Sequence, residues 1–103
     1  MMSKFKPRLL IFIVAYNAEK TISWVLKRIP ISINKQFVIE VLIIDDQSTD
    51  NTANVSQSFS SSTNFKFPIK ILYNPVNQGY GGNQKIGYHY AIKNKFDFVA
   101  LLL

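Results

Sequence analysis

Four short apolar runs punctuate the chain: Leu9 to Val14, Val38 to Ile44, Ile69 to Tyr73 and Phe98 to Leu103. Each has the length of a strand and is rich in Ile, Val, Leu and Phe. Near-continuous apolarity, rather than strict alternation, marks strands covered on both faces. Between them lie three stretches with helical spacing. From Ala18 to Ile29, the residues Ile22, Val25, Leu26 and Ile29 form one stripe, with Asn17 as its expected cap, Glu19 at its positive end, Lys27 and Arg28 at its negative end and Pro30 as its stop. Asn51 to about Phe59 is a thinner helix expected to be capped by Asp50, and it gives way to a polar loop over Ser60 to Asn64. Gly82 to Asn94 pairs Ile86 with Tyr90 and Gly87 with Ala91. The order β-α-β-α-β-α-β predicts one α/β unit over residues 1–103, a Rossmann-like parallel sheet with crossover helices. The last run ends the chain as a strand, so an apolar sheet boundary is expected there. Trp24 lies off the first helical stripe, with Lys20, Lys27 and Arg28, either as a partly exposed aromatic or as a residue that something further covers.

Charge adds to this picture. Twelve Lys and Arg stand against six Asp and Glu, a net charge of +6 that favours an anionic partner, such as a nucleotide or an anionic membrane surface, or serves solubility alone. The basic residues are scattered (Lys4, Lys6 and Arg8; Lys27 and Arg28; Lys93 and Lys95), whereas half of the acids, Asp45, Asp46 and Asp50, gather at one place. Cysteine is absent, which excludes disulfides, thiolate zinc sites and cysteine nucleophiles. No apolar run approaches the roughly 20 residues that span a bilayer. Lys4, Lys6 and Arg8 before an apolar run have the shape of a secretory leader, but Tyr16 and Asn17 stand where a small-residue cleavage site belongs. The expectation is a cytoplasmic protein, with the cytoplasmic face of the membrane as the other place for it.

In open α/β sheets, ligands bind beyond the carboxyl ends of the strands. The three internal strand tips carry Ala15-Tyr16-Asn17, Asp45-Asp46-Gln47-Ser48-Thr49-Asp50 and a long turn from Asn74 to Lys85 with glycines at 79, 81 and 82. Tyr16 offers a flat face for a base, and the carboxylates accept hydrogen bonds from base or ribose. Gly79 and its neighbours let backbone approach a ligand at a helix start that favours negative charge, and Lys85 supplies a cation. Each residue also has a structural reading: Tyr16 as a plug on the sheet, Asp45 and Asp46 as turn and cap residues, the glycines as a turn, Lys85 as a solvated helix residue. The glycine turn lacks the third glycine of a dinucleotide fingerprint and follows the third strand. Lys85 has neither a preceding Gly nor a following Ser or Thr, so it is not a phosphate loop of the Walker kind. His89 stands alone, no metal-ligand cluster is evident, and nucleic-acid binding lacks a basic strand face interleaved with aromatics.

Taken together, Ile13-Val14-Ala15-Tyr16-Asn17, Val41 to Thr52 and Asn77-Gln78-Gly79 resemble glycosyltransferase family 2, with its GT-A fold. The middle segment is similar to the family's "vDDgSxDxT" pattern, and the third loop looks most like that of bacterial members related to dolichol-phosphate mannosyltransferase. The resemblance covers the first half of a family domain. It implies nucleotide binding by Val14, Ala15, Tyr16, Asp45, Asp46 and Gly79, with Lys85 near a looser basic match. It implies a UDP- or GDP-linked sugar as donor, a polyprenyl phosphate or glycan among the acceptors, and Mg or Mn as the family's divalent cation. The family's Asp-x-Asp motif and catalytic base belong beyond Leu103, so no catalytic or metal residue is assigned here and these residues alone are expected not to transfer sugar. Val14 stands where Pro is common, Ala18 where an acid is common, and Gln47 where Gly is common. A non-catalytic remnant that binds a nucleotide or a partner, and a receiver-like domain with an acidic pocket, stand as the other readings.

Overall fold

Each apolar run forms a strand in the computed structural model, which describes residues 5–62 and 64–102. Lys4, Thr63 in the polar stretch after the second helix, and Leu103 at the end of the last run lie outside the described residues. The elements are β1 (Arg8–Ala15), α1 (Ile22–Lys27), a 3-10 turn (Ile31–Lys35), β2 (Val38–Asp45), α2 (Thr52–Ser61), β3 (Ile69–Tyr73), α3 (Gly79–Lys93) and β4 (Phe98–Leu102). All strand pairs are parallel, in the order β3-β2-β1-β4.

Successive strand residues point to opposite faces of the sheet, and both faces are covered. Leu9, Ile11, Ile13, Ala15, Ile39, Val41 and Ile43 form one core with Ile22 and Leu26 of α1, against which Val55 and Phe59 of α2 also pack. Leu10, Phe12, Leu42 and Ile44 form the other, against Ala91 of α3 with Ile86 and Tyr90 beside it. This double burial is why the strands read as unbroken apolar runs. Each fully buried Leu, Ile or Phe contributes about 1.5–3 kcal/mol, so the two central strands carry most of the favourable term.

Close approach of α3 requires a residue without a side chain. A Cβ placed on Gly87 would stand 2.5 Å from Cε2 of Phe12. At its C-terminus, α3 closes with the Phe96 N–H donating to Ala91 O and the Lys95 N–H to Ile92 O, with Lys95 left-handed at φ 60°. This is the Schellman geometry, here without the usual glycine. Arg8 covers this end: its guanidinium lies 4.1 Å over the Phe96 ring, and it donates to the Asn94 carbonyl.

Several boundaries differ from expectation. The regular part of α1 is shorter than Ala18 to Ile29, although Ile22 and Leu26 are its buried residues as the stripe requires. Asn17 does not cap it: the cap position is Thr21, without a side-chain bond. Helix α2 continues to Ser61, past the expected start of a loop, with Phe59 packed edge-to-face on Phe65. Helix α3 starts at Gly79, ahead of the expected Gly82. At the β4 boundary Phe98 and Val99 are exposed, as is Trp24 on α1. Among the described residues, no helix is long and apolar enough to cross a membrane.

Candidate functional site

The chain runs outward from β1 to β2 to β3, then returns to place β4 on the other side of β1. This reversal leaves a crevice at the carboxyl ends of β1 and β4, the switch point where open α/β sheets bind ligands. A cleft of about 520 Å³ opens there, lined by Val14, Tyr16, Asp46, Asn77, Gly79, Tyr80 and Leu102. Four of the seven residues singled out from the sequence, Val14, Tyr16, Asp46 and Gly79, therefore meet in one place. Tyr16 is half exposed, with its ring available to the cleft.

The other three stand apart from the cleft lining. Ala15 is buried, and its carbonyl accepts the Asp46 N–H at 2.9 Å, which ties the first two strand tips together. Asp45 is buried, and its Oδ1 accepts the Ser48 N–H at 3.0 Å, closing the turn after β2. Lys85 lines a different groove, with Leu72, Ile86, His89, Tyr90 and Lys93, along the flank of α3.

The segment after β2 works as a set of clamps. Ser48 Oγ accepts from the Asn17 N–H, Thr52 Oγ1 from the Ala18 N–H, and Asp50 Oδ2 from the Glu19 N–H. In return, Asn17 Oδ1 accepts from the Thr49 N–H at 2.8 Å and lies 3.4 Å from the Asp50 N. Asn17 adopts φ 48°, which Asn tolerates better than most residues. It thus anchors the neighbouring loop instead of its own helix. Asp50 accepts from both the Thr52 N–H and its hydroxyl at the start of α2, which fulfils the expected capping role from one residue further out than the formal cap, Asn51. These hydrogen bonds, outweighing the effect of partial burial, hold the Asp50 carboxyl below its ordinary pKa.

Asp46 reaches the other way. Its carboxylate accepts from the Gln78 N–H at 2.7 Å, the Gly79 N–H at 3.1 Å and Asn74 Nδ2 at 2.9 Å. Burial works to raise its pKa, but these donors outweigh it, and the net effect is a pKa below the ordinary carboxylate value. The positive start of α3, which from the sequence suited a phosphate, is therefore capped by the protein's own carboxylate. Fully buried Asn83 completes the network: its Oδ1 accepts from Asn74 Nδ2 at 2.7 Å, and its Nδ2 donates to Gly79 O at 2.7 Å. Gln47, left-handed at φ 62°, donates to Pro75 O at 3.1 Å and accepts from the Asn77 N–H at 3.2 Å. Asn17 was expected to cap α1 and instead holds the loop after β2, and the structural roles of Gln47, Asn74 and Asn83 escaped the reading of the sequence. Its one signal for them was Gln47 at a position where the similar family often has Gly, a hint of left-handed backbone.

No group of three or more His, Cys, Asp or Glu residues comes together among the described residues. Both carboxylates at the second strand tip are already engaged by N–H donors. The residues described do not fit a divalent cation.

The glycosyl transferase family 2 model matches residues 10–102. Among solved structures, the chain is similar to TarS of S. aureus (residues 1–349, in complex with UDP), at TM-score 0.66 and 24% identity over 92% of this chain and 26% of that one. It is also similar to the mannosyltransferase PcManGT of Pyrobaculum calidifontis, in complex with GDP-Man and Mn2+, at TM-score 0.63 and 19% identity over 82% of this chain and 25% of that one. The chain thus spans about a quarter of the length of either protein. At these identities the likeness speaks for the fold. No curated protein sequence matches it. With a family match that runs from the first strand to the last, on a four-stranded parallel sheet whose switch-point cleft holds the family-like residues, the chain belongs to glycosyl transferase family 2.

Proposed function

We propose that these residues form the nucleotide-binding part of a glycosyltransferase that uses a nucleotide-diphosphate sugar, UDP- or GDP-linked. The observation that carries the reading is the convergence of Val14, Tyr16, Asp46 and Gly79 on one cleft at the sheet's switch point. In this reading the base stacks on Tyr16, with Tyr80 on the opposite rim. Val14 and Leu102 provide apolar walls, and the one lone pair of Asp46 Oδ2 not facing Gly79 accepts from a base N–H or a ribose hydroxyl. The diphosphate lies away from the α3 start, because Asp46 already occupies it. The UDP and GDP-Man complexes of the two similar structures support a nucleotide sugar as the ligand class.

The same geometry supports binding without transfer by these residues alone. A general base needs a carboxylate free to take the acceptor's proton. Asp45, Asp46 and Asp50 are each engaged by backbone N–H groups instead, and the lone pair left on Asp46 Oδ2 is the one this reading gives to the nucleoside. Calorimetry with UDP and GDP, with and without Mn2+, tests both parts. Saturable binding is expected with one of the two nucleotides, weakened by about tenfold in Tyr16→Ala through loss of stacking. Binding unaffected by that substitution would remove the cleft from the reading, and sugar transfer by this chain alone would remove the second part.

A further inference from the structure

Helix α3 carries fifteen residues and no Asp or Glu. Its inner side is settled by Asn83, Gly87 and Ala91, all buried against the sheet. At about 3.6 residues per turn, the opposite side presents, in order around the helix, Tyr88, Ile92, Lys85, His89 and Lys93. All five are exposed, Ile92 to 77%, while Tyr88, 45% exposed, also packs its ring edge-to-face with buried Phe12 and so marks the inner edge of this side. The outer side is therefore neither an ordinary solvated face nor a core face: it sets an aliphatic and an aromatic residue beside two lysines and a histidine.

The surroundings extend the positive charge. Lys93 also lines the adjoining groove with Lys70, and Lys95 is exposed just beyond the helix end. The acids near this side are fewer than the cations: Glu40 lines the same groove as Lys70 and Lys93 and accepts the Tyr90 hydroxyl at 2.5 Å, and Asp97, beyond the helix end, accepts the Arg8 backbone N–H at 2.8 Å. Exposed apolar side chains flanked by cations, on a helix lying flat on a domain, match the interfacial zone of an anionic bilayer. The aliphatic side chain enters the acyl boundary, and long lysine stems let their ammonium groups reach lipid phosphates. Single-stranded nucleic acid fits less well, because it asks for stacked aromatics along the basic track and the most exposed residue here is an isoleucine.

We propose that the outer side of α3, through Ile92, the cations Lys85 and Lys93, and Tyr88 and His89 beside them, docks on an anionic phospholipid surface. Because α3 begins at Gly79 in the cleft, docking would hold the nucleotide site beside the membrane surface. The charge and exposure of this face do not depend on what the cleft binds.

Co-sedimentation with phosphatidylglycerol–phosphatidylcholine vesicles, against phosphatidylcholine vesicles alone, tests the proposal. Binding is expected to the anionic vesicles only and to fall with added salt. Lys93→Glu is expected to weaken it by about 25-fold, from about fivefold for each of two charge units. Ile92→Asp is expected to abolish it. Lys27→Glu makes the same change in net charge on α1, across the sheet, and is expected to have an effect of less than about twofold. Circular dichroism establishes that each variant is folded, and the exposure of all three positions makes folding the expected result. Equal loss in Lys27→Glu and Lys93→Glu would show attraction by net charge alone and overturn the proposal. So would vesicle binding unchanged by Ile92→Asp, no binding to anionic vesicles, or preference for an unstructured RNA over them. If the parent chain binds no vesicles and Ile92→Asp converts a dimer to a monomer, the face is a contact between copies and the membrane proposal fails. Nucleotide calorimetry on Lys93→Glu separates the two sites, since that variant is expected to bind nucleotide as the parent does.

Discussion

Replacing Asp46 by Asn changes the group that holds the turn between β3 and α3. The shape is nearly kept, but the charge and one acceptor are lost. The remaining oxygen can still accept from Gln78 and Asn74 as a neutral group, a loss of about 1 kcal/mol for each bond. The new amide nitrogen meets the Gly79 N–H across 3.1 Å, donor against donor. Gly79 N also lies 3.0 Å from Asn77 Oδ1, which keeps that penalty near its lower end, about 1 kcal/mol. The sum is a destabilisation of about 3 kcal/mol, read in urea unfolding at neutral pH as a lower midpoint with an unchanged slope. The pH dependence gives a second check. The Asp46 pKa is lowered from 3.8 in the folded chain, so the folded state binds fewer protons than the unfolded state in the window just below that value. Its contribution is fully present above the unfolded pKa and is lost as pH falls through the folded pKa. The stability gap between parent and variant is therefore expected to be constant near neutrality and to narrow once pH drops below 3.8. Asp50 has a pKa shifted in the same direction, and taking the difference between parent and variant cancels its contribution. Equal urea midpoints at neutral pH, or a gap that does not narrow in acid, would refute the capping role assigned to this carboxylate.

Gly87→Ala is expected to destabilise the chain by about 1–3 kcal/mol in urea unfolding, because its Cβ meets the Phe12 ring and the core must shift; Phe12→Leu in the same chain should recover part of the loss. Ser56→Ala is expected to stabilise the chain by about 1 kcal/mol, since the Ser56 hydroxyl is fully buried with no hydrogen-bond partner among the described residues. Lys95→Gly relieves the left-handed residue at the end of α3 and should raise stability by about 1 kcal/mol, seen as a higher melting temperature without a change in circular dichroism.

The strands were legible because burial on both faces leaves a mark that no polar side chain interrupts. Ile69 to Tyr73 has the same limits in the sequence and in the structure. The stripe of Ile22 and Leu26 located α1 for the same reason, since burial of one helical face is written at fixed spacing. Helix starts were less legible. Asn17 and Gly82 looked like natural boundaries on local rules, but the donors at the start of α3 are satisfied by Asp46, 32 residues before Gln78. The clamps between the first two strand tips likewise join residues more than thirty positions apart. Nothing periodic announces such bonds. Local residue type shows that Ser48, Asp50 and Thr52 are capable of accepting N–H groups, and only the parallel register that sets Ala15 opposite Asp45 decides which N–H groups they receive.

This long-range wiring changes how the acidic segment after β2 is understood. Its residues can be read as a nucleotide-contacting motif, yet in this chain each of them first organises the protein. Asp45 closes its own turn, Ser48 and Thr52 hold the β1 loop, and Asp46 caps α3. Gln47 carries this furthest. Its left-handed backbone costs about 1–2 kcal/mol relative to glycine. Its amide makes two bonds to the β3–α3 turn, and at about 0.5–1.5 kcal/mol each they offset that cost. A glycine there would relax the backbone and release the turn, whereas glutamine accepts the strain and fastens it. Two consecutive residues, Asp46 and Gln47, thus hold the segment from Pro75 to Gly79 that forms one wall of the cleft, while Ser48, Asp50 and Thr52 hold the loop that carries Tyr16. The wall and the loop that carries Tyr16 are fixed by the fold itself, and under the nucleotide reading proposed above this would lower the ordering cost of binding.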